Sequence, residues 1–151
     1  MAGEVLRNRF GPNLDVEVSC PVFPSEDPSK VLAMVDLIFG TSSRTAVSAS
    51  GGRVQVVYAG DQALTKVYEQ VRSRMTVSVL RRLLRQRRQD SSTSFLLNKQ
   101  VAAKGVVVLC ETEAESPLGP VAVVIRTREL DRFIDWMAPD LRRQRRSFRK
   151  R

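Results

Sequence analysis

A stretch near the N-terminus alternates apolar and polar residues with a period of two. Its apolar members are Leu14, Val16, Val18, Cys20 and Val22, and Asp15, Glu17 and Ser19 separate the first four. This period is typical of a β-strand with one face buried and the other in water. The rest of the chain must therefore supply a layer that covers one side of a sheet.

Helices with apolar stripes are predicted over residues 28–39, 61–89 and 127–138. In the first, Asp27 is a suitable N-cap before Pro28, and Gly40 suits the left-handed conformation that ends a helix. The second is unusually long and can break near Ser73. The third ends before Pro139.

Five further strands are expected. Residues 45–49 and 54–58 flank Ser50-Gly51-Gly52-Arg53, the pattern of a tight hairpin. Three more strands are predicted over residues 95–99, 105–111 and 121–126, the last two separated by Pro117-Leu118-Gly119-Pro120. Because the connections are short, several neighbouring strands should be antiparallel. The order of elements predicts an α+β fold.

At 151 residues the chain is long enough for one sizeable core. We expect an N-terminal extension over residues 1–12, a single α+β domain over 13–138, and a disordered basic tail over 139–151. No apolar run reaches the roughly 20 residues of a membrane span, and the N-terminus does not resemble a signal peptide. A cytoplasmic location is therefore predicted, with no membrane partner.

The net charge of +9 is unevenly distributed. Residues 1–138 hold 18 Lys and Arg against 15 Asp and Glu, a net of +3, whereas residues 139–151 hold 7 against 1, a net of +6. Arginine supplies 20 of the 25 positive residues. Because a guanidinium can hold a phosphate with two hydrogen bonds or stack on a base, the bias favours a polyanionic partner such as RNA.

Two arginine-rich segments are the candidate contacts. On the long predicted helix, one stripe contains Arg74, Arg81, Arg85 and Arg88, flanked by Arg72, Arg82 and Arg87, with no acid between Val71 and Gln89. Such a row matches the spacing of phosphates, but it can also be a solvated face or form salt bridges with distant acids such as Glu111, Glu113 and Glu115. The tail contributes Arg142, Arg143, Arg145 and Arg146, which resemble arginine-rich arms that fold on RNA, although the tail can equally serve solubility.

Lys99 is a further candidate for RNA contact. With Asn98 and Gln100 it forms a polar group in an apolar region. The alternative is that these side chains hydrogen-bond the backbone at a strand end.

Catalytic and metal-binding patterns are missing from the sequence. The chain has no histidine, no CxxC spacing and none of the common nucleophile, phosphate-loop or zinc-protease motifs. The sequence therefore predicts no enzyme, no metal and no cofactor. Cys20 and Cys110 fall in predicted strands and should be buried and unpaired, and Glu111, Glu113 and Glu115 should form a solvated acidic rim.

Three ordered motifs carry a family resemblance. They are Phe95-Leu96-Leu97-Asn98-Lys99-Gln100 with Ala102, Ala103 and Gly105, then Ser116-Pro117-Leu118-Gly119-Pro120, then Ile134-Asp135-Trp136-Met137-Ala138-Pro139. Over residues 16–139 the chain resembles the uncharacterised archaeal protein family 0201 of the UPF series. The resemblance implies a fold similar to the large-subunit ribosomal protein that holds 5S ribosomal RNA, with helices on one face of a curved sheet. It also implies an archaeal cytoplasm and transfers no catalytic residues.

The leading hypothesis is a non-enzymatic RNA-binding or ribosome-associated protein of low sequence specificity. The alternative is a protein-interaction or homodimer module that pairs through an exposed sheet edge and has no nucleic-acid role. An enzyme that acts on an anionic substrate is the third hypothesis.

Overall fold

The structure is a computed structural model that describes residues 13–142. Six strands are present in this part of the chain: β1 (Leu14–Pro21), β2 (Arg44–Ser50), β3 (Arg53–Ala59), β4 (Ser92–Leu97), β5 (Leu109–Cys110) and β6 (Val121–Thr127). Five α-helices lie in the same part: α1 (Pro28–Phe39), α2 (Thr65–Ser73), α3 (Val77–Gln86), α4 (Lys99–Ala102) and α5 (Leu130–Met137). Short 3-10 turns lie at Gln62–Leu64 and Glu113–Glu115.

The strands form one open sheet in the order β2-β3-β1-β6-β4-β5, and every neighbouring pair is antiparallel. β1 lies near the middle, where Val18 is opposite Val56 of β3 on one side and Val123 of β6 on the other. All three of these valines are fully buried. The period of two that the sequence shows between Leu14 and Cys20 is therefore the period of the buried face.

The helices cover that buried face. Val35 of α1, Val67 of α2, Leu80 of α3 and Phe133 of α5 belong to the same core as the inward residues of the strands. The alternate residues of β1, such as Glu17, lie on the other, solvent-accessible side. The structure confirms the α+β class with an antiparallel sheet, and the sheet is open and uncurled.

The long predicted helix is two helices. α2 ends at Ser73 and α3 begins at Val77, and between them Met75 adopts a left-handed conformation with a φ of 60°. The Arg74 backbone N–H still bonds to the Gln70 carbonyl at 2.9 Å. The break expected near Ser73 is confirmed.

Two predicted strands have different bounds in the structure, and the one predicted over 95–99 runs from Ser92 to Leu97. Lys99 was expected to end a strand, but Asn98 caps the short helix α4 by accepting a hydrogen bond from Val101 N at 3.2 Å, and Lys99 is the first residue of that helix. The strand predicted over 105–111 is reduced to Leu109–Cys110. The Gln70 side chain replaces the missing strand partner, because it donates to Gly105 O at 2.9 Å and accepts from Val107 N at 2.7 Å.

Candidate nucleic-acid interface

A groove of about 600 Å³ lies between α3 and the segment that follows α5. Arg81, Arg82 and Arg85 line its α3 side, and Arg142 lines the opposite side with Pro139 and Leu141. We call this feature the arginine groove. It brings together residues from the predicted helix stripe and from the predicted tail, two segments whose proximity is not evident from the sequence.

The amphipathic character of α3 explains why its arginines line a groove. Its buried side chains are Val77, Leu80, Leu83 and Leu84, and they fix which face of the helix packs on the sheet. The arginines occupy the remaining face, and the helix contains no acid. Its positive charges can therefore be neutralised only by groups from other elements or by a ligand.

Three arginines of the predicted stripe and its flank have acidic partners from elsewhere in the chain. Arg81 Nη1 donates to Asp135 Oδ1 at 2.8 Å and to the Ala138 carbonyl at 3.0 Å. Arg88 pairs with Asp131, and Arg82 pairs with Glu111. Salt bridges to distant acids, one of the alternatives open at the sequence level, thus hold for these three residues.

Arg85 and Arg74 differ from those three. Arg85 is exposed and forms no ion pair with another residue of the 13–142 segment. Arg74 is also exposed, but it follows the end of α2 and does not line the groove. The stripe as predicted is therefore divided by the helix break, and its α3 portion alone belongs to the groove.

The predicted tail is described only at its beginning. The Arg142 backbone N–H donates to Asp140 Oδ1 at 3.0 Å, and Leu141 and Arg142 have a helical backbone conformation. Leu141 is 40 % exposed. Arg143, Arg145 and Arg146, together with the expectation of disorder for them, lie outside the described residues.

Lys99 lies in the protein interior rather than at the groove. Its side chain is 5 % exposed, and Nζ donates to the Pro21 carbonyl at 2.6 Å, to Glu26 Oε1 at 2.7 Å and to the Leu118 carbonyl at 3.1 Å. These three acceptors match the three hydrogens of an ammonium group. The geometry agrees with the alternative that this polar group hydrogen-bonds the backbone.

Two of the motifs noted in the sequence hold each other in place. Lys99 N donates to Ser116 Oγ at 3.2 Å, and Ser116 Oγ donates to the Gly119 carbonyl at 2.8 Å. Gly119 has a φ of 81°, and a Cβ added there would lie 2.3 Å from Pro21 Cγ. Only glycine fits this close approach to β1.

The ion pair between Lys99 and Glu26 is largely removed from water. Burial favours the neutral form of the Glu26 carboxyl, but the hydrogen bonds from Lys99 Nζ and Phe23 N, with the charge of Lys99, hold its pKa below the ordinary value. The carboxylate therefore stays ionised at neutral pH. The pair links α4 to the segment between β1 and α1.

Arg72 has a structural role that the sequence did not indicate. Its guanidinium lies 3.4 Å from the centre of the Tyr68 ring and donates to the carbonyls of Trp136 and Met137, both at 3.1 Å. These carbonyls belong to the last turn of α5, where a cation is favourable. The Tyr68 and Trp136 rings also stack, with centroids 5.1 Å apart.

Pro139 and Leu141 are the groove residues that sequence reasoning missed. The available signal was the presence of apolar residues immediately before the arginine run, which the prediction assigned wholly to a disordered tail.

The structure also shows where the two cysteines and the acidic residues near β5 lie. Cys20 and Cys110 are buried and free, as predicted. Glu113 and Glu115 lie in a 3-10 turn, where Glu115 Oε2 accepts from Glu111 N at 2.8 Å, and all three acids are exposed. No group of metal-binding side chains occurs among residues 13–142, and no helix in the same range is long and apolar enough to cross a membrane.

Comparison with known proteins gives consistent matches over most of the chain. A protein-family model described as RNA binding matches residues 15–127. The UPF0201 protein of Methanopyrus kandleri is 35 % identical over 129 residues, covering 79 % of this chain and 80 % of that protein. The UPF0201 protein of Thermococcus onnurineus is 34 % identical, covering 83 % and 91 %.

Solved structures agree on the fold. A crystal structure of an uncharacterized UPF0201 protein superposes with a TM-score of 0.69 at 24 % identity, covering 83 % of this chain and 94 % of that one. The UPF0201 protein of Methanococcus jannaschii superposes with a TM-score of 0.66, also at 24 % identity, covering 83 % and 93 %. The matched family model and the archaeal relatives together establish that this chain belongs to the UPF0201 family.

Proposed function

We propose that this protein binds RNA through the arginine groove and performs no chemistry on it. The observation that carries the proposal is the convergence of Arg81, Arg82, Arg85 and Arg142 around one groove, where Asp140 is the only acid among the described lining residues. The family model that matches the chain is described as RNA binding, which supports the same partner. Phosphate is the group that several guanidiniums on one surface recognise best.

The arginines are not equally available. Arg81 is 15 % exposed and is held by Asp135, so it serves mainly to fix α5 against α3. Arg82 is about half exposed despite its partner Glu111. Arg85 forms no salt bridge within residues 13–142, although its charge, after that of Arg88, helps to hold the pKa of Asp131 below the ordinary value. We therefore assign phosphate contact to Arg82, Arg85 and Arg142.

The apolar part of the groove favours RNA with unpaired bases. The apolar walls of the groove are formed by Val79, Pro139 and Leu141. A phosphate makes no favourable contact with such a wall, whereas the face of a base can pack on it. The volume of 600 Å³ falls within the range of about 300–1,000 Å³ typical of small-molecule sites. In duplex RNA the bases are stacked and paired, so only the phosphates would reach the arginines.

Association with the ribosome is a more specific form of the proposal. Its support is the family resemblance of the sequence motifs, which implies a fold similar to the ribosomal protein that holds 5S RNA. Sedimentation of a native extract on a sucrose gradient tests it. We expect the protein to migrate with ribosomal subunits at low salt and to leave them at high salt.

The central experiment replaces Arg82, Arg85 and Arg142 together by glutamine. Because each phosphate contact on a single strand contributes about −0.7 to the slope of log affinity against log salt, losing three contacts should flatten the slope by about 2. Fluorescence anisotropy of a labelled single-stranded RNA, measured over a range of KCl concentrations, gives the slope. Glutamine keeps most of the helix propensity, so α3 should remain folded.

The matched control replaces Arg53, Arg126 and Arg128, which lie outside the groove, by glutamine. Both triple variants lose the same charge, so the difference between their slopes measures the groove itself. Equal flattening in the two would show that only net charge matters. If the unmodified chain binds no RNA at any salt concentration, the proposal fails and the interaction module becomes the better account.

A further inference from the structure

β2 is an end strand of the sheet and is almost wholly exposed. Six of its seven residues are exposed, and within the described residues 13–142 its only partner in the sheet is β3. The strand at the opposite end, β5, has only two residues. A long free edge presents unpaired backbone groups to other chains, and proteins usually protect such edges with proline, charge or short length.

The turn after β2 fixes which backbone groups face outward. Gly51 and Gly52 have φ values of 66° and 73°, as in a two-residue hairpin turn of type I′. In such a hairpin the closing pair, Ser50 and Arg53, exchanges both backbone hydrogen bonds, and the bonding alternates along the strand. Val47 and Ala49 therefore direct their N–H and C=O groups to the free edge.

The buried layer of the protein ends abruptly at this edge. Val47 and Ala49 lie opposite Val56 and Val54 of β3, which are fully buried on the core side of the sheet. Yet Val47 is 44 % exposed, because the helix layer does not extend over β2. The edge thus offers an apolar side chain beside free hydrogen-bonding groups.

The strand is complementary to itself. Residues 45–50 carry no charge, and none is larger than valine. Antiparallel pairing about a two-fold axis at Ser48 sets Val47 opposite Ala49 of the other copy and Ala46 opposite Ser50. The paired residues lie C-terminal to the irregularity between Arg44 and Ala46, where the strand is regular. No two like charges face each other in this register.

We infer that β2 pairs with β2 of a second copy, which joins the two sheets into one across a two-fold axis. Val47 and Ala49 of each copy supply the backbone hydrogen bonds, and their side chains meet on the core side. The interface is isologous and closes the assembly at two copies. A pairing of this length buries less than the roughly 1,200 Å² of a stable interface, so the dimer should be weak and concentration-dependent.

The test measures molar mass by analytical ultracentrifugation over a range of protein concentrations, after RNA has been removed. We expect the unmodified chain to shift reversibly from monomer to dimer. Val47→Lys should stay monomeric, because it sets a lysine of each copy close to the two-fold axis. Ala49→Pro should do the same, because proline removes an outward N–H that β3 does not use.

The matched control is Ala114→Lys, which adds the same charge at an exposed turn next to β5, at the opposite end of the sheet. It should dimerise as the unmodified chain does. Thermal melting shows whether each variant is folded. If Ala49→Pro does not fold, Val47→Lys alone tests the dimer. The inference is overturned if the unmodified chain is monomeric throughout, or if Val47→Lys dimerises as well as Ala114→Lys.

The RNA proposal is independent of this outcome. Because β2 is not part of the arginine groove, the monomeric variant should still bind single-stranded RNA. Loss of dimers with unchanged RNA affinity would support the dimer inference and the RNA proposal independently.

Discussion

Lys99 is a charged side chain whose role is decided by its surroundings. Its ammonium has three acceptors from three separate segments, at Pro21, Glu26 and Leu118. In water an ammonium is fully solvated, so burial is tolerable only because each hydrogen has a partner. The residue holds segments together and is not free to contact a phosphate.

Replacing Lys99 by methionine should strongly destabilise the protein. The methionine keeps the length of the side chain but leaves the Glu26 carboxylate buried without its partner, which typically costs about 3–5 kcal/mol. Denaturant unfolding measures the change. Lys104→Met, at an exposed position, is the control and should alter stability by less than about 0.5 kcal/mol. Full stability with weakened RNA binding would instead place Lys99 in the interface.

Cys20 and Cys110 should react slowly with thiol reagents in the native protein. Burial raises the pKa of the Cys20 thiol to about 11, so almost none of it is thiolate at neutral pH. Burial also raises the pKa of Cys110. Titration with a chromogenic disulfide should show two slow thiols in buffer and two fast ones in urea. A fast phase in buffer would show that one thiol is accessible.

Single residues differ in how far the sequence predicts them. The burial of Cys20 could be predicted because it follows the alternation that begins at Leu14. The role of Lys99 could not, because its acceptors lie 73 to 78 residues away on one side and 19 residues away on the other. Local periodicity predicts which residues are buried, but it does not predict which distant residues packing brings into contact.

At the scale of elements, the junction between α2 and α3 stores backbone strain. Met75 has a φ of 60° and is 89 % exposed, so no packing compensates its conformation. A left-handed backbone costs a non-glycine residue about 1 kcal/mol or more. The turn nevertheless allows α3 to pack its apolar face and present its arginines.

Replacing Met75 by glycine should stabilise the protein by roughly 0.5–1 kcal/mol, because glycine adopts this conformation without the steric cost. Met75→Ala is the control and should leave stability nearly unchanged, since alanine has the same restriction. Thermal unfolding of the three proteins measures the difference. An equal gain from alanine would mean that loss of the exposed apolar side chain, and not relief of strain, is responsible.

Elements with a clear internal signal were predictable, and those that depend on distant side chains were not. The cap of α1 could be predicted because it is a local contact. Asp27, the residue before the helix, accepts a hydrogen bond from Ser29 N, two residues further along the chain. β5 was predicted too long because the strand signal of residues 105–108 is overridden by Gln70, which bonds their backbone from another element. Intrinsic strand preference is weak, so such a contact can decide whether a segment forms a strand.

At the scale of the whole molecule, most of the net positive charge lies in residues 143–151. Residues 143–151 hold six of the 25 Lys and Arg residues, so their removal lowers the net charge from +9 to +3. The core, in contrast, consists of residues between Leu14 and Ala138. Most of the net charge therefore lies outside the segment that contains the described core.

Truncation after Arg142 should leave the melting temperature nearly unchanged and weaken RNA binding mainly at low salt. The first result is expected because the core described between Leu14 and Ala138 is left intact, and the second because long-range attraction between charges is screened by salt. Calorimetry and anisotropy measure the two effects. A large fall in melting temperature would show that residues 143–151 contribute to packing.

The class of the whole fold was accessible from the sequence, but the arginine groove was not. Alternating strands and capped helices are local patterns, and together they predict an α+β domain. The groove depends on Arg81 of α3 and Arg142 after α5 lying on opposite walls, which is set by the packing of α3 against α5. One contact in that packing, Arg81 with Asp135, joins residues 54 positions apart.

The position of β6 has a consequence for folding during synthesis. β6 lies between β1 and β4, although it is the last strand to be made. Until residues 121–127 leave the ribosome, β1 and β4 each lack one neighbour, and the nascent chain has two half-sheets with open inner edges. The first half-sheet, built from β1, β2 and β3, can form early, whereas the native molecule must wait for its C-terminal strand to be inserted between the halves. We therefore expect the slowest folding step to be the docking of β6 between β1 and β4, which cannot begin until residues 121–127 have left the ribosome.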